Sequence, residues 1–179
     1  MKQTKYVTSG GLAFTEKRDM RKLSKYARKG WLLDSFAPFG YKLRKAEPQN
    51  YAYEVDFQVS PDEDYFAIFA EAGWAHICSA GNGFHVFQAP AGTKPIYTDK
   101  ATLVEKYERE KKMMGRAALP LLLVTLVLAL VKAAGIYGVL PALAGNIGFW
   151  LAIVSLIVLI FPGMPYIAYH FKLIKYRKQ

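Results

Sequence analysis

Two histidines and the only cysteine of the chain lie in one short stretch, and their side chains suit metal or thiol chemistry. His76 and Cys78 are two positions apart in a strand-like segment, and His85 follows in the next such segment. Because strand side chains alternate between faces, we expect His76 and Cys78 to share a face, with His85 approaching them across a hairpin. One thiol and two imidazoles make an incomplete zinc site, and no carboxylate has suitable spacing, so we predict no metal.

Two further segments carry polar groups of the kind that enzymes use. Asp62, Glu63 and Asp64 form a carboxylate cluster at the start of a helix, where the helix dipole favours acidic side chains. The glycine-rich segment Ser79–Gly83 could cradle a phosphate, but it lacks a Walker lysine and a following helix, which is typical of a hairpin turn. We therefore predict no catalytic residue and no cofactor. A membrane-tethered enzyme built on this turn and the histidine strand stays open as an alternative.

A basic helical segment is the clearest candidate for binding, because only Glu16 and Asp19 oppose its positive charge. The cations of this segment are Lys17, Arg18, Arg21, Lys22, Lys25, Arg28 and Lys29. Each cation near an anionic membrane surface adds about 1 kcal/mol of attraction, so we predict membrane lipid, or an unidentified protein, as the partner. Simple solvation of a polar helix face explains the same pattern. Nucleic acid is disfavoured, since no recognised reading motif accompanies the charge.

The elements that carry these residues follow one pattern used twice. A shift of 43 positions aligns Gly30 and Trp31 with Gly73 and Trp74. In each copy a strand leads into a helix, the glycine ends the helix in the left-handed conformation, and two strands follow. The tryptophans stand where a strand begins, so we interpret them as core anchors rather than as a ligand-stacking pair.

The helix starts and inward faces of the two copies are predicted from capping residues and from periodicity. Ser60, followed by Pro61 and Glu63, is expected to cap the second helix, and Thr15 holds the same place in the first. The inward stripes are predicted to be Met20, Leu23 and Ala27 in the first helix, and Phe66, Phe69 and Ala70 in the second.

Two such copies predict an α+β fold. We expect two strand-helix-strand-strand repeats in an antiparallel sheet with helices on one face, related to ferredoxin-like topologies. A third strand-like segment, Ile96–Asp99, which includes Thr98, leads into an amphipathic helix that reaches Arg116. No linker rich in Pro, Gly or Ser follows this helix. We therefore expect it to couple the domain mechanically to the apolar segment beyond.

The last third of the chain is predicted to cross a membrane twice. The chain has 24 Lys+Arg and 14 Asp+Glu, yet Lys132 is the only charged residue between Arg116 and Lys172. About 20 apolar helical residues cross a hydrocarbon core, so two helices fit, at about residues 117–139 and 147–170. Gly138, Pro141, Gly145 and Asn146 supply the turn of this helical hairpin. The segment from Pro162 to Pro165 is expected to kink or break the second helix.

Charges at the ends of the spans predict the orientation. Basic residues precede the first span, and the second is followed by Lys172, Lys175, Arg177 and Lys178. Positive flanks stay in the cytoplasm, and no apolar signal segment follows Met1 and Lys2, so both termini should be cytoplasmic. We expect a multi-pass protein of the cell membrane, with a cytosolic domain over 1–99, a connecting helix over 100–116, a membrane segment over 117–171 and a basic tail over 172–179.

Three strings of residues resemble a bacterial family catalogued as domain of unknown function 2812. They are Tyr26–Leu33, Tyr51–Asp56 and Phe69–Trp74, and the resemblance covers residues 5–114. It implies a cytosolic domain joined to carboxy-terminal membrane helices, mostly in Gram-positive bacteria, often encoded beside PadR-type transcriptional regulators. The family has no established activity, so the resemblance implies no catalytic residues.

These features predict a membrane-anchored binding or regulatory module that acts through protein or membrane-surface contacts, without catalysis. The alternative is an oligomeric transport or antimicrobial-resistance component, in which the hairpin associates with further copies and its second helix lines a path. Small residues such as Ala144, Gly145 and Gly148 permit the close helix approach that a homo-oligomer needs.

Overall fold

The computed structural model describes residues 3–81, 83–97 and 99–178, without the side chain of Lys178. Expectations that concern Met1, Lys2, Asn82, Thr98 or the Lys178 side chain therefore lie outside the described residues. The chain divides into two compact units, residues 1–106 and 107–179.

The order of the elements confirms the α+β class and the hairpin that follows it. The first half contains β1 (Thr4–Thr8), α1 (Leu12–Ala27), β2 (Trp31–Ala37) and β3 (Gly40–Lys45). The same order returns in β4 (Tyr51–Phe57), α2 (Glu63–Glu71), β5 (Ala75–Ala80) and β6 (Phe84–Pro90). Two long helices follow, α3 (Lys100–Ile136) and α4 (Ala142–Lys178), and the boundary between the units falls within α3.

The strands form two antiparallel sheets of three strands rather than the single sheet that was expected. Their orders are β1-β3-β2 and β4-β6-β5, so the third strand of each half lies between two strands that run parallel to each other. The sheets meet where β2 lies beside β5. Both of these strands carry a β-bulge, at Asp34 and Ile77, and a bulge bends a strand and interrupts a regular ladder.

The helices cover opposite faces of the second sheet, which corrects the expectation that both lie on one face. Met20, Leu23 and Ala27 of α1 pack in one core together with Val86 of β6. Aromatic side chains of α2 pack in another core around Phe87. Adjacent residues of a strand point to opposite faces, and both Val86 and Phe87 are fully buried, so both faces of β6 need a cover.

The predicted cap of α2 is wrong by two residues. The helix begins after Asp62, whose carboxylate accepts a hydrogen bond of 2.9 Å from the Tyr65 amide, and Ser60 instead adopts a positive φ of 52°. Aspartate caps helices as well as serine does, so the signal was ambiguous. In the predicted inward stripe Ala70 is exposed, whereas Tyr65 packs inward with Phe66 and Phe69.

The first helix also begins earlier than predicted. It starts at Leu12, after Gly11, and includes Thr15 at a non-helical φ of −125°. The hydroxyl of Thr15 donates to the Gly11 carbonyl oxygen at 3.2 Å instead of capping the helix. The predicted inward stripe of α1 is buried in full.

Helices α3 and α4 form the hairpin of the second unit. Thr125 and Ser155 share a hydrogen bond of 2.8 Å between their hydroxyls, and the Lys132 ammonium donates to the Asn146 amide oxygen at 3.0 Å. A side chain on Gly135 would meet the Cα atom of Gly145 at 2.8 Å, so the two backbones are in close contact. Gly145 and Gly148, two of the small residues predicted to favour helix association, thus pack within this hairpin.

The boundaries of α4 differ from the sequence-based expectation. Gly145 and Asn146 lie inside α4 rather than in the turn, and the helix continues through Pro162 and Pro165 instead of breaking. A proline removes one backbone hydrogen bond from a helix, but long apolar helices tolerate this loss when neighbouring groups satisfy the freed carbonyl.

The turn at Gly30 yields a stability prediction. Gly30 has a φ of 75°, and a Cβ atom there would lie 2.6 Å from the Ala46 carbonyl oxygen. We expect Gly30→Ala to lower the free energy of unfolding by about 1–3 kcal/mol, because strain and a backbone clash act together. Urea unfolding in detergent, followed by tryptophan fluorescence in a Trp150→Phe background, measures the change in the first unit.

The matched control for this prediction is Gly81→Ala. Among the described residues, no atom outside its chain neighbours lies within 4 Å of a Cβ built on Gly81, so this substitution should alter the unfolding free energy by less than about 1 kcal/mol. Equal stability losses in the two variants would contradict the role of the Gly30 turn.

Candidate functional site

A pocket of about 600 Å³ lies between the loop that follows β1 and the basic face of α1. One wall is the loop Thr8–Gly10, and the other is the helix. Four cations and one acid of α1 line it: Arg18, Arg21, Lys22, Lys25 and Asp19. We call this set of residues the basic pocket. Its lining is therefore predominantly positive.

Asp19 ties the loop to the helix and is buried. Its carboxylate oxygen Oδ2 accepts hydrogen bonds from the Ser9 hydroxyl at 2.5 Å, the Gly10 amide at 3.2 Å and the Tyr41 hydroxyl at 3.5 Å. A buried carboxylate is stable when several donors satisfy it. Asp19 therefore serves to hold the loop in place. Burial, which desolvates the phenol, raises the pKa of Tyr41 above its ordinary value, and Tyr41 stays protonated as a donor.

The loop also positions two of the cations. The Lys22 ammonium donates to the Thr8 carbonyl oxygen at 2.8 Å. A Cβ atom on Gly10 would lie 2.7 Å from a guanidinium nitrogen of Arg18, so only a glycine lets Arg18 lie this close to the loop. Lys22 is thus held at Thr8, and the Arg18 guanidinium lies close to Gly10.

The structure brings together four of the seven cations that the sequence singled out. Lys17, Arg28 and Lys29 are exposed and do not line the pocket. The loop residues Ser9 and Gly10 were missed. The sequence feature that could have identified them is a Ser-Gly-Gly string between a strand and a basic helix. On its own, this string is typical of an ordinary turn.

The two tryptophans occupy different environments. Trp74 is buried, and its indole nitrogen donates to the Lys94 carbonyl oxygen at 3.0 Å. Trp31 is half-buried, and the ammonium groups of Lys5 and Lys45 lie 4.7 Å and 5.1 Å from its ring. The preceding glycines, Gly30 and Gly73, both have positive φ angles, of 75° and 85°. Cation–π contacts occupy the exposed part of Trp31.

The histidine cluster differs from its prediction because of the bulge in β5. The register skips Ile77, so His76 and Ser79 share a face, while Ile77 and Cys78 pack against the opposite core. The prediction that His76 and Cys78 share a face is therefore wrong. Burial raises the pKa of the Cys78 thiol to about 12, which makes it a poor metal ligand and nucleophile at neutral pH.

A chain of hydrogen bonds joins His76, Ser79 and His85. Ser79 Oγ lies 2.9 Å from His76 Nε2 and 2.8 Å from His85 Nδ1, and His85 Nε2 lies 2.9 Å from the Gln58 carbonyl oxygen. A carbonyl only accepts, so His85 carries its proton on Nε2 and Nδ1 accepts from Ser79. Burial, followed by the neighbouring His85, lowers the pKa of His76. Within the described residues, no group of three metal-binding side chains forms.

A second buried polar cluster joins α1, β4 and the first turns of α3. The Lys106 ammonium is buried, and it donates to Glu16 Oε1 at 2.5 Å and to the Val55 carbonyl oxygen at 2.6 Å. Asp56 is also buried, and it accepts hydrogen bonds from the hydroxyls of Tyr65 and Tyr97. Every one of these groups has partners inside the protein, which is typical of a structural cluster.

A groove of about 520 Å³ runs between α3 and α4 in the second unit. Its cations are Lys111, Lys112, Arg116 and Arg177, and its apolar residues include Leu119, Leu173 and Ile174. We call it the interhelical groove. Lys111 lies 3.0 Å from His170 Nδ1, and Arg177 pairs with Glu108. The groove thus combines positive charge with apolar surface.

These features define an α+β protein with a cationic pocket, joined to two helices that are long and apolar enough to cross a membrane. Residues 15–119 match the family described as "Protein of unknown function (DUF2812)", and the chain belongs to this family. It is the family predicted from the residues. The match begins inside α1 and therefore excludes the Ser9–Gly11 loop. No curated protein and no solved structure matches the chain.

The environment of Cys78 yields a prediction about thiol reactivity. Since burial raises the thiol pKa to about 12, the folded protein should react with a thiolate-seeking reagent such as dithiobis(nitrobenzoate) more than about a hundredfold more slowly than the unfolded chain at pH 8. Rates are measured by absorbance before and after unfolding in detergent. The Cys78→Ser variant provides the blank. Equal rates in the two states would show that the thiol is accessible and normal.

Proposed function

We propose that this protein is a membrane-anchored binding module, in which the α3–α4 hairpin crosses the cell membrane and the first unit binds its ligand or partner in the cytosol. The supporting observation is the apolar surface of the hairpin. Leu123, Leu130 and Phe161 are 63%, 68% and 65% exposed, and many similar side chains surround them. Apolar surfaces of this extent are not left in water, so lipid is the environment that suits them.

The polar groups of the hairpin support the same proposal. Lys132 lies four residues from the end of α3, where its long stem can carry the ammonium toward the interface, and it contacts Asn146. At the other end of the hairpin, the interhelical groove places cations beside apolar side chains. That combination suits the headgroup region, where phosphates and acyl chains meet.

The distribution of charge supports a cytoplasmic location for both termini. The cations of the interhelical groove lie beyond the apolar stretch, whereas the turn between the helices contains no charged residue. Cations are retained on the cytoplasmic side of membrane helices. In this orientation the basic pocket shares a compartment with the anionic inner leaflet. We propose that contact with the membrane surface or with a partner protein is centred on Arg18, Arg21, Lys22 and Lys25.

Extraction and labelling test the anchoring and the orientation. The full-length protein should stay in the membrane pellet at alkaline pH and be released only by detergent. In a Cys78→Ser background, Tyr137→Cys places a thiol in the turn at a position that is 83% exposed. An impermeant maleimide should label this thiol in intact cells. A thiol at Gln3→Cys or Lys175→Cys should be labelled only after permeabilisation.

Two outcomes would contradict the proposal. Release of the protein into the aqueous fraction at alkaline pH would show that the hairpin does not anchor it in the membrane. Labelling of Gln3→Cys, but not of Tyr137→Cys, in intact cells would show the opposite orientation, with the basic pocket outside the cell. The cysteine-free Cys78→Ser protein serves as the control for nonspecific labelling.

A second candidate, a membrane-tethered hydrolase, is favoured by one observation. Ser79 donates its proton to His85 Nδ1, and the Gln58 carbonyl orients the imidazole, as a nucleophile and its base require. It ranks lower because His76 Nε2 also lies 2.9 Å from the Ser79 oxygen and occupies one of its lone pairs.

A fluorophosphonate probe distinguishes the hydrolase from the binding module. Such a probe labels activated serines covalently, so a hydrolase should be labelled at Ser79, and Ser79→Ala should abolish the label. We expect no labelling above the level of the Ser79→Ala control. Stoichiometric labelling of Ser79 would make the hydrolase the better account.

A further inference from the structure

The basic pocket concentrates positive charge, because four cations and one acid line it. In the part of the chain that the structure describes, Arg18, Arg21, Lys22 and Lys25 form no ion pair. The one acid in the pocket, Asp19, is 2% exposed and accepts its hydrogen bonds from the loop and from Tyr41. Mutual repulsion of these four cations disfavours the empty pocket and favours an anion.

The pocket is shaped rather than a flat charged surface. The Thr8 carbonyl fixes Lys22, and the missing side chain at Gly10 lets Arg18 lie against the loop. Arg21 is held along the helix by a hydrogen bond of 3.1 Å from its Nε to the Lys17 carbonyl oxygen. Cations with restricted side chains lose less conformational entropy when they bind a ligand.

The charge and the geometry of the basic pocket indicate which class of anion suits it. A phosphate monoester carries up to two negative charges and three terminal oxygens, which match guanidinium forks and ammonium groups. A carboxylate supplies one charge, and a phosphodiester offers fewer free oxygens. A volume of about 600 Å³ accommodates a phosphate together with a small organic group.

We propose that the basic pocket binds a phosphate monoester, supplied either by a lipid headgroup in the inner leaflet or by a soluble phosphorylated metabolite. This inference deepens the proposed function, because it names the ligand chemistry of the contact surface. Arg18 and Lys25 bind the phosphate oxygens, while Lys22 is held beside them by the Thr8 carbonyl.

The experiment uses the full-length protein in phosphatidylcholine nanodiscs. In the first arm, glycerol 3-phosphate is titrated into the protein by calorimetry. In the second arm, thermal unfolding is compared between discs that contain phosphatidic acid, a monoester, and discs of equal charge that contain phosphatidylserine. Binding in the first arm identifies a soluble ligand, and stabilisation confined to phosphatidic acid identifies a lipid headgroup. The protein is already in a bilayer, so the result does not depend on its orientation in the cell.

Two double variants of α1 remove the same charge from different places. Arg18→Gln with Lys25→Gln alters the pocket, and among the described residues neither side chain has a hydrogen-bond partner. Lys17→Gln with Lys29→Gln alters exposed residues outside the pocket. The pocket pair should weaken binding by about tenfold or more, and the control pair by less than about twofold.

Gly10→Ala provides a variant that keeps the charge. Its methyl group would lie 2.6 Å from the Thr15 hydroxyl and 2.7 Å from a guanidinium nitrogen of Arg18, so both the loop and Arg18 must shift. Affinity for the monoester should then fall several-fold with no change in net charge. Circular dichroism and thermal unfolding verify that each variant folds.

Three results would overturn the proposal. Equal weakening by the pocket pair and the control pair would mean diffuse attraction by a basic surface. Absence of monoester binding in both arms would mean that the pocket is a solvated polar face. Tight binding of a DNA duplex that glycerol 3-phosphate does not compete away would mean a different partner.

Discussion

Strand β6 buries both of its faces, and this constraint governs the arrangement of the first unit. Val86 and Phe87 are neighbours in sequence and both are fully buried, so two separate apolar covers are required. Helix α1 covers one face, and α2 covers the other with aromatic side chains. A strand with polar residues at alternate positions would need one cover only. The placement of both helices follows from this single strand.

The same constraint explains why the polar residues of the second half lie where they do. The α2 side of β6 carries His85 among apolar residues, and its buried polar atoms need hydrogen-bond partners. The bulge at Ile77 supplies one by bringing Ser79 to that face, and the Gln58 carbonyl supplies the other. Cys78 is turned into the opposite core, where it behaves as a small apolar residue.

Lysine has three distinct roles in this protein, and each is set by its surroundings. Lys106 is buried and bridges elements through Glu16 and the Val55 carbonyl. Lys22 is half-buried beside the other cations of the basic pocket, and it donates to the Thr8 carbonyl. Lys132 lies in the apolar hairpin and contacts an asparagine. Composition gives the same weight to all three, although only the second lines the basic pocket.

The sequence by itself determined the order of the elements, the left-handed turns at Gly30 and Gly73, and the two long apolar helices. Each depends on local propensity or on the hydrophobic character of consecutive residues, which neighbours in the chain reveal. Only the tertiary structure decided the separation into two sheets, the faces chosen by α1 and α2, and the pairing of Ser79 with His85. It also joined the Ser9–Gly10 loop to four of the seven basic residues. These features depend on bulges and on contacts between distant residues, and the spacing of residues along the chain encodes neither.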